Sequence, residues 1–262
     1  MTSLSRRRFI ARSARATLGV SAAWASLGAW PGAGPSLFAG EPAAKSRKPI
    51  RVCLVSGSLE YSSDESLASF QTYLEGRYPV RCTRAFIKTE EDLPGLENLD
   101  TCDCMLLFTR RLRITGEQLE RVKRYCLSGR PIVGVRTASH AFQNWLALDQ
   151  EVFGGDYQGH YGNQMRPEIR PIAASKSHPI LEGFRPYVSH GSLYKNPKVA
   201  QDVTILLNGT IPGHTEPVAW TRRYKGGRIF YTSLGHPDDF AEEEFRRLLV
   251  NALFWTALGS NA

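Results

Sequence analysis

The sequence predicts an α/β fold, a mostly parallel sheet with helices on both faces. Short apolar runs without polar alternation recur at residues 51–57, 103–109 and 131–136, the pattern of strands buried on both sides. Segments with apolar residues at helical spacing lie between them. The third run leads into GVRTASHAF, residues 134–142, which has the make-up of a sharp strand-to-helix turn. Apolar residues make up 42% and charged residues 22% of the chain, which is ordinary for a globular protein. A length of 262 residues is enough to bury a core without staples.

Each element follows from its own pattern. RVCLVSG, 51–57, reads as a buried strand ending in a glycine loop. Residues 64–77 carry Leu67, Phe70, Tyr73 and Leu74 on one helical face. VRCTRAF, 80–86, is a strand, LPGLENL a connection, and DCMLLFT, 103–109, a second buried strand. TGEQLERVKRYCLSG, 115–129, predicts a helix with Thr115 as N-cap and Gly129 as its stop. PIVGVR, 131–136, is the third buried strand, and 137–148 is predicted helical. Beyond residue 150 the character changes. GGDYQGHYGN is a glycine-rich loop; PEIRPIAAS, DVTILLNG, EPVAWTRRY and GRIFYTS are strand-like, with Gly226-Gly227 joining the last two as a hairpin. Residues 242–258 form a closing amphipathic helix. In such folds the ligand site lies beyond the carboxyl ends of the strands.

The N-terminus points to a compartment. SRRRFI, 5–10, places consecutive arginines before Phe9 and Ile10, and no charge occurs between Arg15 and Glu41. This is expected to be a twin-arginine type export signal over residues 1–40, followed by a polar linker, 41–49, and one domain, 50–258. The expected location is periplasmic or extracellular, with membrane contact only through an uncleaved leader. The leader also explains the net charge of +8. It holds five arginines and no acid, and without it 28 basic residues face 25 acidic ones. A nucleic-acid partner is therefore not expected. The five cysteines, Cys53, Cys82, Cys102, Cys104 and Cys126, fall mostly in strand-like runs and read as small buried hydrophobes.

All six histidines lie between residues 140 and 236. His160, His190, His214 and His236 fall at loop or strand-end positions, His140 follows the turn, and His178 reads as a surface turn residue. Small residues two before and two after the tip, Gly134 and Ala138, mark a crowded turn whose tip is Arg136. A guanidinium has five donors and no acceptor, so it cannot attack or act as a base. It holds a ligand oxygen, or it pairs with an acid at the core edge. Adjacent residues on a helix do not face each other, which argues against a Ser139–His140 dyad.

The elbow Gly-x-Arg-x-Ala-Ser-His, then GGDYQGH, then PVAWTRRYKGGRIFYTSLGHPDDF, then FRRLLVNALFW resembles the ThuA-like, or trehalose-utilisation, family across essentially all of residues 50–258. The resemblance implies a flavodoxin-like fold related to class I glutamine amidotransferases. Those enzymes carry Cys in Gly-x-Cys-x-Gly and a later His-Pro-Glu. Here Arg136 stands at the Cys position and His236-Pro237-Asp238 at the other, so the resemblance does not extend to glutamine hydrolysis. The chain departs from its family too, in Arg136 where His is common and in SHGSLY where many members have Asp-Glu before the tyrosine matching Tyr194.

These readings combine into one expected site. Arg136 holds or polarises a sugar oxygen. His140, His160 and His236 act as acid/base groups or as ligands of a divalent metal, with Asp238 orienting His236. Glu60, Arg110, Asp156, Tyr157 and Tyr194 line the pocket, where tyrosines of this kind, Tyr161 included, stack on sugar faces. No HExxH zinc motif is present, and no pair of carboxylates placed for glycoside hydrolysis is identifiable. The resemblance implies carbohydrate catabolism, with a disaccharide or its 3-keto derivative as the small-molecule partner. The alternatives are a non-catalytic carbohydrate-binding module and an amidotransferase-like partner subunit. A homo-oligomer is left open.

Overall fold

The computed structural model describes residues 48–259. The expected export signal and residues 41–47 of the linker lie outside the described residues. The elements are β1 (Ile50–Gly57), α1 (Ser63–Arg77), β2 (Val80–Phe86), β3 (Cys104–Thr109), α2 (Gly116–Leu127) and β4 (Ile132–Val135), then β5 (Glu168–Pro171), β6 (Tyr187–Val188), β7 (Val203–Ile211), β8 (His214–Tyr224), β9 (Gly227–Thr232) and α3 (Glu243–Leu258). The strands form one nine-stranded sheet in the order β2-β1-β3-β4-β9-β8-β7-β5-β6.

The sheet is mixed rather than mostly parallel. β2, β1, β3, β4 and β9 run parallel, whereas every pairing from β9 outward to β6 is antiparallel. The reason is connection length. β8 reaches β9 through Lys225 and Gly226 alone, both with left-handed backbone (φ 46° and 87°). A two-residue turn between neighbouring strands reverses the chain, while a parallel return needs a long crossover.

Strand side chains alternate between two cores. Val52, Leu54, Leu106 and Phe108 meet α1 and α3 through Leu67, Phe70, Phe245 and Leu248. Cys53, Val55, Met105 and Leu107 meet α2 through Leu119 and Val122 on the other face. The five cysteines are free, and all but the half-buried Cys82 are buried. Burial pushes the thiols of Cys53, Cys82 and Cys104 up to about 12, so they remain protonated and inert.

The segment expected to be a helix over 137–148 is not one. Only a tight turn forms, Arg136–His140. Residues 136–142 are all buried, so the first half of the segment has no solvent face for an amphipathic helix. Its backbone groups are also spent elsewhere: Arg111 N–H donates to the His140 carbonyl and Leu112 N–H to that of Ala141, each at 2.8 Å, and Gln143 N–H donates to Leu112. Among the described residues no helix is long and apolar enough to cross a membrane.

Candidate functional site

The parallel strands bring three connections to one sheet edge. Each contains a non-glycine residue in left-handed backbone: Ser62 after β1 (φ 42°), Arg111 after β3 (φ 47°) and Arg136 after β4 (φ 46°). Such a conformation costs energy for any residue with a Cβ and persists where surrounding contacts dictate it. At the elbow those contacts are tight. A Cβ on Gly134 would lie 2.7 Å from the Phe153 ring and 3.0 Å from Tyr231, and the Tyr231 hydroxyl donates to the Arg136 carbonyl at 2.7 Å.

Arg136 does not enter the cavity, contrary to the expectation that it would hold a sugar oxygen. It is 1% exposed. Its guanidinium lies between the rings of Tyr61 and Tyr194, 4.4 and 4.7 Å from their centroids. It donates to the Ser233 carbonyl (2.8 Å), the Tyr61 hydroxyl (3.1 Å) and Ser192 Oγ (3.2 Å). Nor does it meet an acid: no ion pair to Arg136 forms among the described residues. Left-handed backbone at the tip, together with the strand register, turns the side chain under the cavity, where it supports the two tyrosines.

Those tyrosines wall a cup of about 70 Å³ that also draws on Glu60, Arg110, Arg111, His140, Tyr157 and His160. A larger cavity of about 310 Å³ adjoins it, with Ser139, Asp149 and Asp156 in its lining. Arg111, His140 and Tyr157 line both. Of the ten expected site residues, Glu60, Arg110, His140, Tyr157, His160 and Tyr194 therefore meet at the cup, and Asp156 joins them through the second cavity. Glu60 and Arg110 pair at 2.7 Å, and Asp156 accepts a bond from Gln158 at 2.7 Å.

The histidines have separate chemistries. His140 stacks on Tyr157 at 4.4 Å, and its Nδ1 lies 3.0 Å from Ser139 Oγ. The tight turn thus allows the neighbour contact that a helix would forbid. Burial, and then the charges of Arg111, Arg110 and Arg136, pull His140 down to about 3, so the ring is neutral in ordinary solution. His160 is exposed, and its Nδ1 is 2.7 Å from the Tyr161 carbonyl. A carbonyl only accepts, so Nδ1 carries the proton and the neutral ring keeps Nε2 as an acceptor.

His236 stands outside the cup, edge-on to Tyr61 at 6.3 Å. Asp238 does not orient its ring as expected. Its carboxylate is 64% exposed and 3.5 Å from Nδ1, while the Asp238 backbone N–H donates to that nitrogen at 3.3 Å. His236-Pro237-Asp238 is a cap on the short turn Pro237–Ala241. The organising acid is Asp239, fully buried. It accepts from Ser189 Oγ and from the backbone N–H groups of His190, Gly235 and His236. Among the described residues no group of three or more His, Cys, Asp or Glu side chains is arranged to hold a metal ion, so His140, His160 and His236 do not make a joint ligand set.

Sequence reasoning missed Tyr61, Arg111, Asp149 and Asp239. Arg111 stood beside the chosen Arg110, and Asp239 stood one residue beyond the chosen Asp238, at the spacing of a capping box. Asp149 had no signal. It is 5% exposed, one oxygen accepts from Tyr157 N–H at 2.9 Å, and the other has no hydrogen-bond partner. Burial pushes its carboxyl up to about 7.

The ThuA family model, described as trehalose utilisation, matches residues 51–256. No curated protein matches the chain. Among solved structures, a protein described as ThuA-like from Parabacteroides merdae ATCC 43184 superposes with a TM-score of 0.64 at 18% identity, covering 81% of this chain and 91% of that one. A second, from Bacteroides uniformis ATCC 8492, gives 0.62 at 17%, covering 83% and 95%. A protein from Salmonella typhimurium, described as cytoplasmic, gives 0.52 at 17%, covering 79% and 99%. At these identities the likeness is one of fold.

Proposed function

This chain belongs to the ThuA family, and on that premise we propose that it is an exported protein of carbohydrate catabolism, acting on a disaccharide or its 3-keto derivative. The observation that carries the reading is the pair of cavities meeting across Arg111, His140 and Tyr157. Together they suit two linked rings, in the volume range of small-molecule sites, and Tyr157 and Tyr194 offer aromatic walls. Burial raises both phenols, so they bind as neutral hydroxyls. In this reading His160 moves the proton through its free Nε2, and neutral His140 hydrogen-bonds the ligand without carrying charge. Arg136 fixes the elbow, and a guanidinium at its tip supplies no nucleophile for glutamine hydrolysis. The parallel half, ordered β2-β1-β3-β4-β9, supports a flavodoxin-like description of the part that builds the site.

His160→Ala tests this, with turnover and calorimetric binding of disaccharides and their 3-keto derivatives measured on both proteins. The expected result is a loss of about 10²–10⁴-fold in turnover with affinity changed only a few-fold. Binding without turnover by the unaltered protein would identify a binding module instead. Absence of both would overturn the carbohydrate reading.

A further inference from the structure

We propose that the ligand of this site carries a carboxylate and that Arg111 is the residue that grips it. The inference rests on the carbohydrate reading above and deepens it from sugar to sugar acid.

The run Arg110-Arg111-Leu112-Arg113 leaves β3 with three arginines, and their partners differ. Arg110 pairs with Glu60 at 2.7 Å. Arg113 pairs with Glu90 at 2.9 Å and Glu91 at 2.6 Å. Arg111, between them, has no acid partner among the described residues. Its guanidinium meets only a neutral amide, Gln143 Oε1, at 3.1 Å. It is exposed and lines both cavities at their junction. Its backbone is held left-handed (φ 47°) by the bonds of Arg111 and Leu112 to the carbonyls of His140 and Ala141, a conformation retained at a cost.

Of the cations lining the two cavities, Arg111 is the one without an acid partner among the described residues. The acids at the two cavities are Glu60, engaged by Arg110, Asp156, engaged by Gln158, and Asp149, which burial pushes up to about 7. Against them stand Arg110, held by Glu60, and Arg111, which meets only an amide; the buried Arg136 lies outside both linings, with the charge of Asp239 acting on it. A planar guanidinium fork fits a carboxylate in two parallel hydrogen bonds. One fork that meets only a neutral amide matches one negative charge, which favours a carboxylate over a phosphate dianion.

The test is calorimetric titration of the full chain, as wild type, Arg111→Gln, Arg111→Lys and Arg113→Gln. The probes are lactobionate, cellobionate and maltobionate, their neutral parents lactose, cellobiose and maltose, and glucose 6-phosphate. At least one acid is expected to bind about tenfold more tightly than its parent, with the preference shrinking at about 0.5 M salt. Arg111→Gln should abolish the preference, so that the acid binds no more tightly than its neutral parent. Arg111→Lys should retain part of it, and Arg113→Gln all of it. Thermal melts of each variant separate loss of binding from loss of fold, and Arg111→Lys stands in should Arg111→Gln not fold. Equal binding of acids and neutral parents would overturn the carboxylate subsite and leave the carbohydrate reading standing. Preference for glucose 6-phosphate, or an acid preference that survives in Arg111→Gln, would overturn the assignment as stated. Failure of every sugar, acid or neutral, to bind the wild type would overturn both readings.

Discussion

Arg136 and Arg111 each follow a parallel strand in nearly the same left-handed backbone, φ 46° and 47°. At the elbow after β4 the guanidinium is 1% exposed, clasped between two tyrosine rings, with Ser233, Tyr61 and Ser192 accepting its hydrogen bonds. In the turn after β3 the guanidinium is exposed at the junction of two cavities and holds one amide oxygen. Two arginines on neighbouring strands thus share a backbone device and divide the labour. Burial makes Arg136 part of the frame, and exposure leaves Arg111 free for a ligand. The elbow, marked in the sequence by Gly134 and Ala138 around its tip, shapes the site from below.

The largest effect that could break this comparison is on stability. Arg136→Ala strands two buried acceptors and one half-buried hydroxyl and empties the space between Tyr61 and Tyr194, so it should cost about 3–5 kcal/mol in urea unfolding. Equal losses from Arg136→Ala and Arg111→Ala would erase the distinction.

The junction itself should show in the pH dependence of stability. His140 titrates near 3 when folded, below its ordinary 6.5. The folded chain then binds fewer protons than the unfolded one between these values, and stability rises with pH there. Asp149 titrates near 7 when folded, above its ordinary 3.8. The folded chain binds more protons, and stability falls as pH rises through that interval. The two slopes oppose each other from about pH 4 to 6.5. Asp149→Asn should therefore unmask a rise of up to about 1.4 kcal/mol per pH unit, and His140→Asn a fall of similar size. Flat profiles in both variants would show that neither shift exists.

Packing gives a smaller contrast. Gly134→Ala drives a methyl into the Phe153 and Tyr231 rings and should cost about 1–3 kcal/mol. Gly57→Ala, beside the β3 turn, meets first the end of the Leu112 side chain at 2.8 Å, which can shift, so its cost should fall below that of Gly134→Ala in the same unfolding assay. The smallest effect expected is that of Arg111→Ala, within about 0.5 kcal/mol of wild type, because its side chain is exposed and its one partner is neutral.

Legibility followed the range of the interactions involved. The buried strands and the helices α1, α2 and α3 were readable because apolar spacing is a local signal. The cup residues Glu60, Arg110, His140, Tyr157, His160 and Tyr194 were reachable because each follows a strand or a glycine-rich loop near the ligand edge. Arg111 was not separable from Arg110: one residue along a turn reverses where a side chain points, and the left-handed backbone that sets this comes from pairing with His140 and Ala141. Asp238 was preferred to Asp239 for the same reason, since only the fold shows which of two adjacent carboxylates is buried against Ser189, Gly235 and His236.

The sequence alone determined the α/β class, the sharp turn around Arg136 and the absence of a nucleophile at its tip, because residue type and spacing act locally. The tertiary structure decided the rest. It set the antiparallel half of the sheet, the burial of Arg136 beneath two tyrosines, the contact of Ser139 with His140 and the exposed fork of Arg111. Those outcomes depend on which distant segments pack together, and desolvation and hydrogen-bond partners exist only once they have.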